Sequence, residues 1–139
     1  MPKLDIYHET VKSALEKDNW RITNDPFVLQ IGKKRLFANL GAERLISAEK
    51  GLKKVVVEIK SFVGLSDVQD LEQALGQYVL YRQILDQMEP DRLLYLAITR
   101  RTFKSVFEVE IGQLLLANQI VRLIVFDPES EVITQWIPN

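Results

Sequence analysis

Glu58 and Lys60 stand two residues apart near the end of KKVVVEIKSF, residues 53–62. Successive side chains of a β-strand alternate between its faces, so these two point the same way. A carboxylate and an ammonium aimed together from an apolar strand have two chemical uses. They form a structural ion pair, or they are half of a metal-dependent phosphodiesterase site. In the second case Mg²⁺ (or Mn²⁺), which takes hard oxygen ligands and keeps several waters, binds Glu58 and a second carboxylate on a neighbouring strand. Such an ion polarises a phosphodiester and makes a bound water nucleophilic near neutral pH. Lys60 then orients that water and offsets the negative charge growing on the phosphate. The apolar setting weighs toward a bound or paired Glu58, because an isolated buried charge is costly.

The second acid depends on strand register. A hairpin turning around Lys50 to Lys53 places Glu58 opposite roughly Arg44 and Lys60 opposite roughly Glu43. Directly opposed residues share a face, so Glu43, Glu58 and Lys60 converge, with Glu43 and Glu58 as metal ligands. A register one residue off sends Glu43 to the other face. Asn39 and Glu49 are then the other polar candidates, and Glu49 lies near the solvent end of the turn.

Other polar residues gather around this pair. Glu9, beside His8 on a first helix, is placed to fix a metal-bound water from across the site, and Asp25 in NDPF is a further oxygen source. Gln73 and Gln77 are four apart and share one helical face. Basic groups cluster at Lys33–Lys34–Arg35, at Lys53–Lys54 and at Arg100–Arg101–Lys104. The last follows a strand end and is the best placed of the three for DNA phosphates. Trp136 is exposed unless it packs back or meets a partner.

The elements that position these residues follow from hydrophobic spacing. Leu4, Tyr7, Val11, Ala14 and Leu15 predict an amphipathic helix over residues 4–17. RITNDP leads into a short strand ending near Pro26, where proline stops regular pairing. Strands are predicted at 27–31, 35–40, 44–48 and 54–61, with Gly51 in a hairpin connection. Ser66 with Gln69 three residues on is a capping box, and Asp67 suits the positive end of the helix it opens, which runs to QMEPD. RLLYLAIT, residues 92–99, is a second buried-type strand. A third helix over 103–118, the strand IVRLIVFD and an edge strand EVITQWI complete the chain. The order predicts one α/β domain over residues 1–139, a central mixed β-sheet flanked by α-helices.

Bulk properties remove several alternatives. At 139 residues, 47% hydrophobic and 27% charged, the chain has ordinary globular composition and room for one core. The absence of cysteine excludes disulfides and thiolate chemistry, and a single histidine excludes a multi-histidine zinc site within one chain. A net charge of −1 argues against non-specific coating of DNA but leaves room for local basic patches. No run approaches the roughly 20 apolar residues that cross a bilayer, and the start MPKLDIYHETVK has no apolar signal core. The expectation is a cytoplasmic protein with no membrane partner.

VVVEIKSF, an acid-bearing hairpin, a first helix with a Glu and QALGQY on the following helix together resemble the PD-(D/E)XK, or restriction-endonuclease-like, superfamily. HETVKSALEKDNWRITNDPF, LGAERLISAEKG and DLEQALGQYVLYRQIL through DRLLYLAI further resemble the XisH family of cyanobacterial fdxN-element excision controlling factors. The resemblance implies a restriction-endonuclease-like domain with Glu58 and Lys60 as the acid-x-Lys pair, Glu9 as the first-helix Glu and Gln77 as the glutamine after the motif. It expects an Asp on the hairpin, where this chain offers Asn39 or Glu43. It implies a role in DNA rearrangement, either as a Mg²⁺-dependent DNA nuclease or as a non-catalytic accessory that acts with a partner such as XisI on a site-specific recombinase. A homodimer is a further expectation, since folds that cut two strands often act as pairs. The third reading is a small binding domain in which Glu58 and Lys60 form a structural salt bridge.

Overall fold

The computed structural model describes residues 4–139. Helix α1 (His8–Lys17) precedes strands β1 (Arg21–Asn24), β2 (Phe27–Ile31), β3 (Lys34–Ala38), β4 (Leu40–Ser47) and β5 (Gly51–Ile59). Then come α2 (Asp67–Met88), β6 (Arg92–Thr99), α3 (Arg100–Thr102), a π-helical turn at Phe103–Phe107, α4 (Glu110–Ala117), β7 (Leu123–Asp127) and β8 (Val132–Ile137). Six strands form one mixed sheet in the order β1-β4-β5-β6-β7-β8, and β2 and β3 form a separate hairpin. The chain is a mixed α/β fold with helices on its central sheet, as the element order predicts.

β5, β6 and β7 are parallel to one another, with α2 and the α3–α4 segment as their crossovers. Parallel strands covered on both faces read as continuous apolar runs, which is why VVV and LLYLAI show no alternation. The alternation reappears in the two cores. Val56, Leu94, Leu96, Ile98, Leu123 and Val125 face α2 and the β2–β3 hairpin. Val55, Val57, Ile59, Tyr95, Ala97, Ile124 and Phe126 face α1. Among the described residues one helix, α1, covers the second face, and aromatic stacking extends it: Trp136 lies against Trp20 (ring centroids 5.2 Å apart) and edge-on to Tyr95 at 5.0 Å. Trp136 therefore packs back.

Two joints hold the layers that frame the site. Tyr78 of α2 is fully buried, and its hydroxyl donates to Leu94 O at 3.0 Å while accepting from Arg122 N at 3.1 Å. At Gly41 a Cβ would meet Phe27 Cδ2 and Asn24 Oδ1 at 2.8 Å, so only glycine lets the β2–β3 hairpin close onto β4.

Several boundaries differ from the sequence expectation: the strand expected over 35–40 ends at Ala38, that expected over 44–48 runs Leu40–Ser47, and that expected over 54–61 runs Gly51–Ile59. α1 starts at His8, because Asp5 takes the preceding residues into a turn, its Oδ1 accepting from Tyr7 N. The helix expected over 103–118 starts at Arg100 and breaks at Glu108–Val109. The break brings Gly112 so close to Phe107 that a Cβ would lie 2.2 Å from its Cα. The β4–β5 turn occupies residues 48–50, closed by Gly51 at φ +72° and by Ser47 Oγ accepting from Lys50 N. That position resets the register that decides the site.

Candidate functional site

The C-terminal ends of β5 and β6 lie side by side, and β5 ends in the residues of interest. Beyond it opens a cleft of about 640 Å³ lined by Asn39, Glu58, Lys60, Ser61, Gln73, Gln77 and Tyr81, with Leu4, Asp5, Ile6 and Val63 at its sides. Such a crevice at the ends of parallel strands is where ligands commonly bind in open α/β sheets.

Glu58 is buried, on the same sheet face as Val56. Burial pushes its carboxyl up to about 8, and the nearby Asp5 charge pushes the same way. The backbone N–H groups of Asn39 and Ile59 pull it back in part, and the Lys60 charge least of all. Lys60 gives its ammonium instead to Gln73 Oε1 at 2.9 Å. Glu58 and Lys60 thus line one cleft without forming the close ion pair of a purely structural reading. Gln77 lines the same cleft.

Glu43 does not join them. The observed pairs are Leu40–Val57, Ala42–Val55 and Glu43–Lys54, so the register runs about five residues away from a turn centred on 50–53. Glu43 keeps the face of Glu58 but sits four residues down the strand, ~13 Å away. There it pairs with Arg21 of β1. The residue one step beyond the Leu40–Val57 pair is Asn39, and it is Asn39 that meets the Glu58 end. Glu9 is also away from the cleft, on the exposed side of α1, while its neighbour His8 turns inward and is buried. Arg100, Arg101 and Lys104 line a separate hollow after β6, with Tyr7, Asp127 and Glu129. The segment Leu4–Tyr7 runs between that hollow and the Glu58 cleft.

Asn39 and Asp5 line the cleft, and His8 and Asp25 stand behind Asn39. Asn39 Oδ1 accepts from Ile59 N at 2.8 Å, and its Nδ2 is 3.3 Å from His8 Nδ1. His8 Nε2 is 2.7 Å from Asp25 Oδ1, and Lys12 Nζ donates to Asp25 Oδ2 at 2.9 Å. Burial raises the Asp25 carboxyl, but the hydrogen bonds from Lys12 and His8 outweigh it and leave the group below its usual value. Asp5 Oδ2 accepts from Ser61 N at 3.0 Å. A signal for Asp25 was present in its place before Pro26. Asp5 and His8 carried none, because both act through contacts with residues far along the chain.

A family model described as XisH protein matches residues 1–134. The chain belongs to the XisH family. It is similar to the crystal structure of an XisH family protein from Nostoc punctiforme PCC 73102, at 40% identity and TM-score 0.84 over 95% of this chain and 98% of that one. It is equally similar to an fdxN element excision controlling factor protein from Anabaena variabilis, at 41% identity and TM-score 0.85 over 96% and 99%. No curated protein matches it. In this XisH-family chain the donors at the cleft are one buried carboxylate, Glu58, the amide of Asn39, and Asp5 with both oxygens already accepting backbone N–H groups. Among the described residues no group of three or more His, Asp or Glu side chains is placed to hold a metal ion. No described helix is long and apolar enough to cross a membrane.

Proposed function

We propose that this chain controls excision of a DNA element by binding, without cutting DNA itself, on a scaffold of the restriction-endonuclease-like type. The excision role is supported by family membership and by the name of the Anabaena variabilis relative, an fdxN element excision controlling factor. The scaffold reading is supported by the order of a first helix, a hairpin ending in VEIK and a following helix whose glutamines face the same cleft.

The observation that carries the non-cutting reading is Asn39 beside Glu58, where a hydrolase of this plan needs a second acid. Mg²⁺ or Mn²⁺ does not fit these donors, since a divalent cation wants several anionic or free oxygen ligands. Asn39 is neutral, and its carbonyl already serves Ile59. No chemical step is therefore routed through a metal. What remains is a contact surface. Lys60 after β5 and Arg100, Arg101 and Lys104 after β6 lie on one rim of the sheet and serve as phosphate contacts for DNA. A partner protein such as XisI, or a second copy of the chain, completes the assembly that acts on the recombinase.

A second reading, Mg²⁺-dependent phosphodiester hydrolysis, is favoured by one observation, the shared cleft of Glu58, Lys60 and Gln77. Incubation of the purified chain with supercoiled, linear and branched DNA and Mg²⁺ or Mn²⁺ separates the two. The expected result is intact DNA, with excision in a recombinase reporter strain depending on the chain and surviving Glu58→Ala. Cleavage that disappears in Lys60→Ala would overturn the proposal.

A further inference from the structure

We infer that position 39 alone disables a divalent-cation site in this chain: an Asp25–His8–Asn39 hydrogen-bond chain holds a neutral amide at the one place beside Glu58 where a carboxylate would complete it. The inference rests on the non-cutting reading above and supplies its cause.

The orientation of the amide is decided by its partners. Ile59 N is a donor, so the atom it meets at 2.8 Å is the carbonyl oxygen of Asn39. The amide nitrogen therefore faces His8 Nδ1 at 3.3 Å and donates to it. His8 must then carry its ring proton on Nε2, which gives it to Asp25 Oδ1 at 2.7 Å. Lys12 meets the other Asp25 oxygen. Every link is thus a donor facing an acceptor, and the chain is complete with no charge at position 39. No free oxygen of Asn39 is directed at a cation by this arrangement.

An Asp at position 39 is nearly isosteric with the amide and changes the balance. One oxygen keeps the Ile59 N–H. The other takes the place of the amide nitrogen, where His8 must carry a second ring proton on Nδ1 to meet it, and it brings a negative charge to the end of β4, next to Glu58 on β5, giving two carboxyl groups at adjacent strand ends with Asp5 nearby. Two opposed carboxyl groups at the edge of a cleft are a hard-cation site, the ion displacing the Glu58 proton and water completing the shell. Asp5 is already committed, its two oxygens holding Tyr7 N and Ser61 N and so fixing the entry to α1. Glu43 is committed too, being paired with Arg21 along the strand.

The test is Mn²⁺ binding at neutral pH, followed by isothermal titration and by loss of the free-ion electron paramagnetic resonance signal. Wild type, Asn39→Asp and Asn39→Asp/Glu58→Gln are compared, with folding checked by circular dichroism. Wild type is expected to show no site at millimolar Mn²⁺. Asn39→Asp is expected to bind at least tenfold more tightly than wild type, and the double variant to lose that gain. Binding by wild type that Glu58→Gln abolishes would overturn the inference, as would a folded Asn39→Asp that binds no better than wild type. Nitrogen-15 shifts of the His8 ring in wild type give a check that needs no variant. Protonation at Nε2 is expected, and a proton on Nδ1 would break the proposed chain. None of these outcomes touches the excision role, which the reporter strain reads separately.

Discussion

Asn39 Oδ1 accepts the backbone N–H of Ile59 at 2.8 Å, joining the ends of β4 and β5. Strand pairing stops at Leu40–Val57, so a side chain continues the ladder one step further than the backbone does. The same bond turns the amide nitrogen toward His8 and fixes which residue stands next to Glu58. The chemistry of the cleft follows from this contact more than from the Glu58–Lys60 spacing.

Glu58 makes stability fall with pH. Its carboxyl is raised from 4.5 to about 8 in the folded protein, mainly by burial. Between those values the folded state holds a proton that the unfolded chain has released, so ΔG of unfolding decreases as pH rises. The contribution is whole below about 4.5 and gone above about 8, at ~1.4 kcal/mol per pH unit for one fully differing proton. Asp5 adds repulsion and Lys60 weakly offsets it. Glu58→Gln is expected to melt higher than wild type at pH 9 and to lose most of that advantage at pH 5. Parallel melting curves of the two proteins across this range check it.

The basic rim should be visible in salt dependence. Replacing Arg100, Arg101 and Lys104 together by Ala is expected to weaken DNA binding about uniformly across sequences. It should also flatten the slope of log K against log salt by about 2–3, near 0.9 per lost phosphate contact. Fluorescence anisotropy at several salt concentrations measures both. An unchanged slope would remove this surface from the DNA interface.

Tyr78→Phe keeps the packing of α2 but leaves Leu94 O and Arg122 N without their hydroxyl partner. A loss of about 1–3 kcal/mol is expected in urea unfolding, the cost of stranding buried polar groups. The m-value should stay unchanged, because the surface exposed on unfolding does not change.

Gly41→Ala tests the seat of the β2–β3 hairpin. Its methyl would enter the space of Phe27 and Asn24, so a loss of about 1–3 kcal/mol from overpacking is expected. Chemical denaturation measures the loss, and increased hydrogen exchange in residues 27–38 would locate it.

Much of the scaffold was legible because its signals are local. Ser66 does cap α2, its Oγ accepting from Gln69 N, as the spacing of Ser and Gln implies. The strand at Arg92–Thr99 begins and ends where the apolar run does. The register of β4 on β5 was not legible, since it depends on which residues of LISAEKGLK turn. That choice was settled by one positive-φ glycine and one serine hydroxyl. Which side of α1 meets the sheet was not legible for the same kind of reason. Helical spacing orders the residues of α1, but the side packed on the sheet is set by Val11 and Leu15 meeting β4, β5 and Trp20.

By itself the sequence determined that a strand of buried type ends in Glu58 and Lys60, because alternation and hydrophobic run length are properties of a few adjacent residues. It also determined the family, whose model spans residues 1–134. Only the tertiary structure decided the company Glu58 keeps. Asp5 and His8, Asp25, and Asn39 come from three separate points in the chain, and they converge only when α1, the β2–β3 hairpin and the β4–β5 register are set together. A carboxylate's neighbours in space are fixed by packing, which no local pattern encodes.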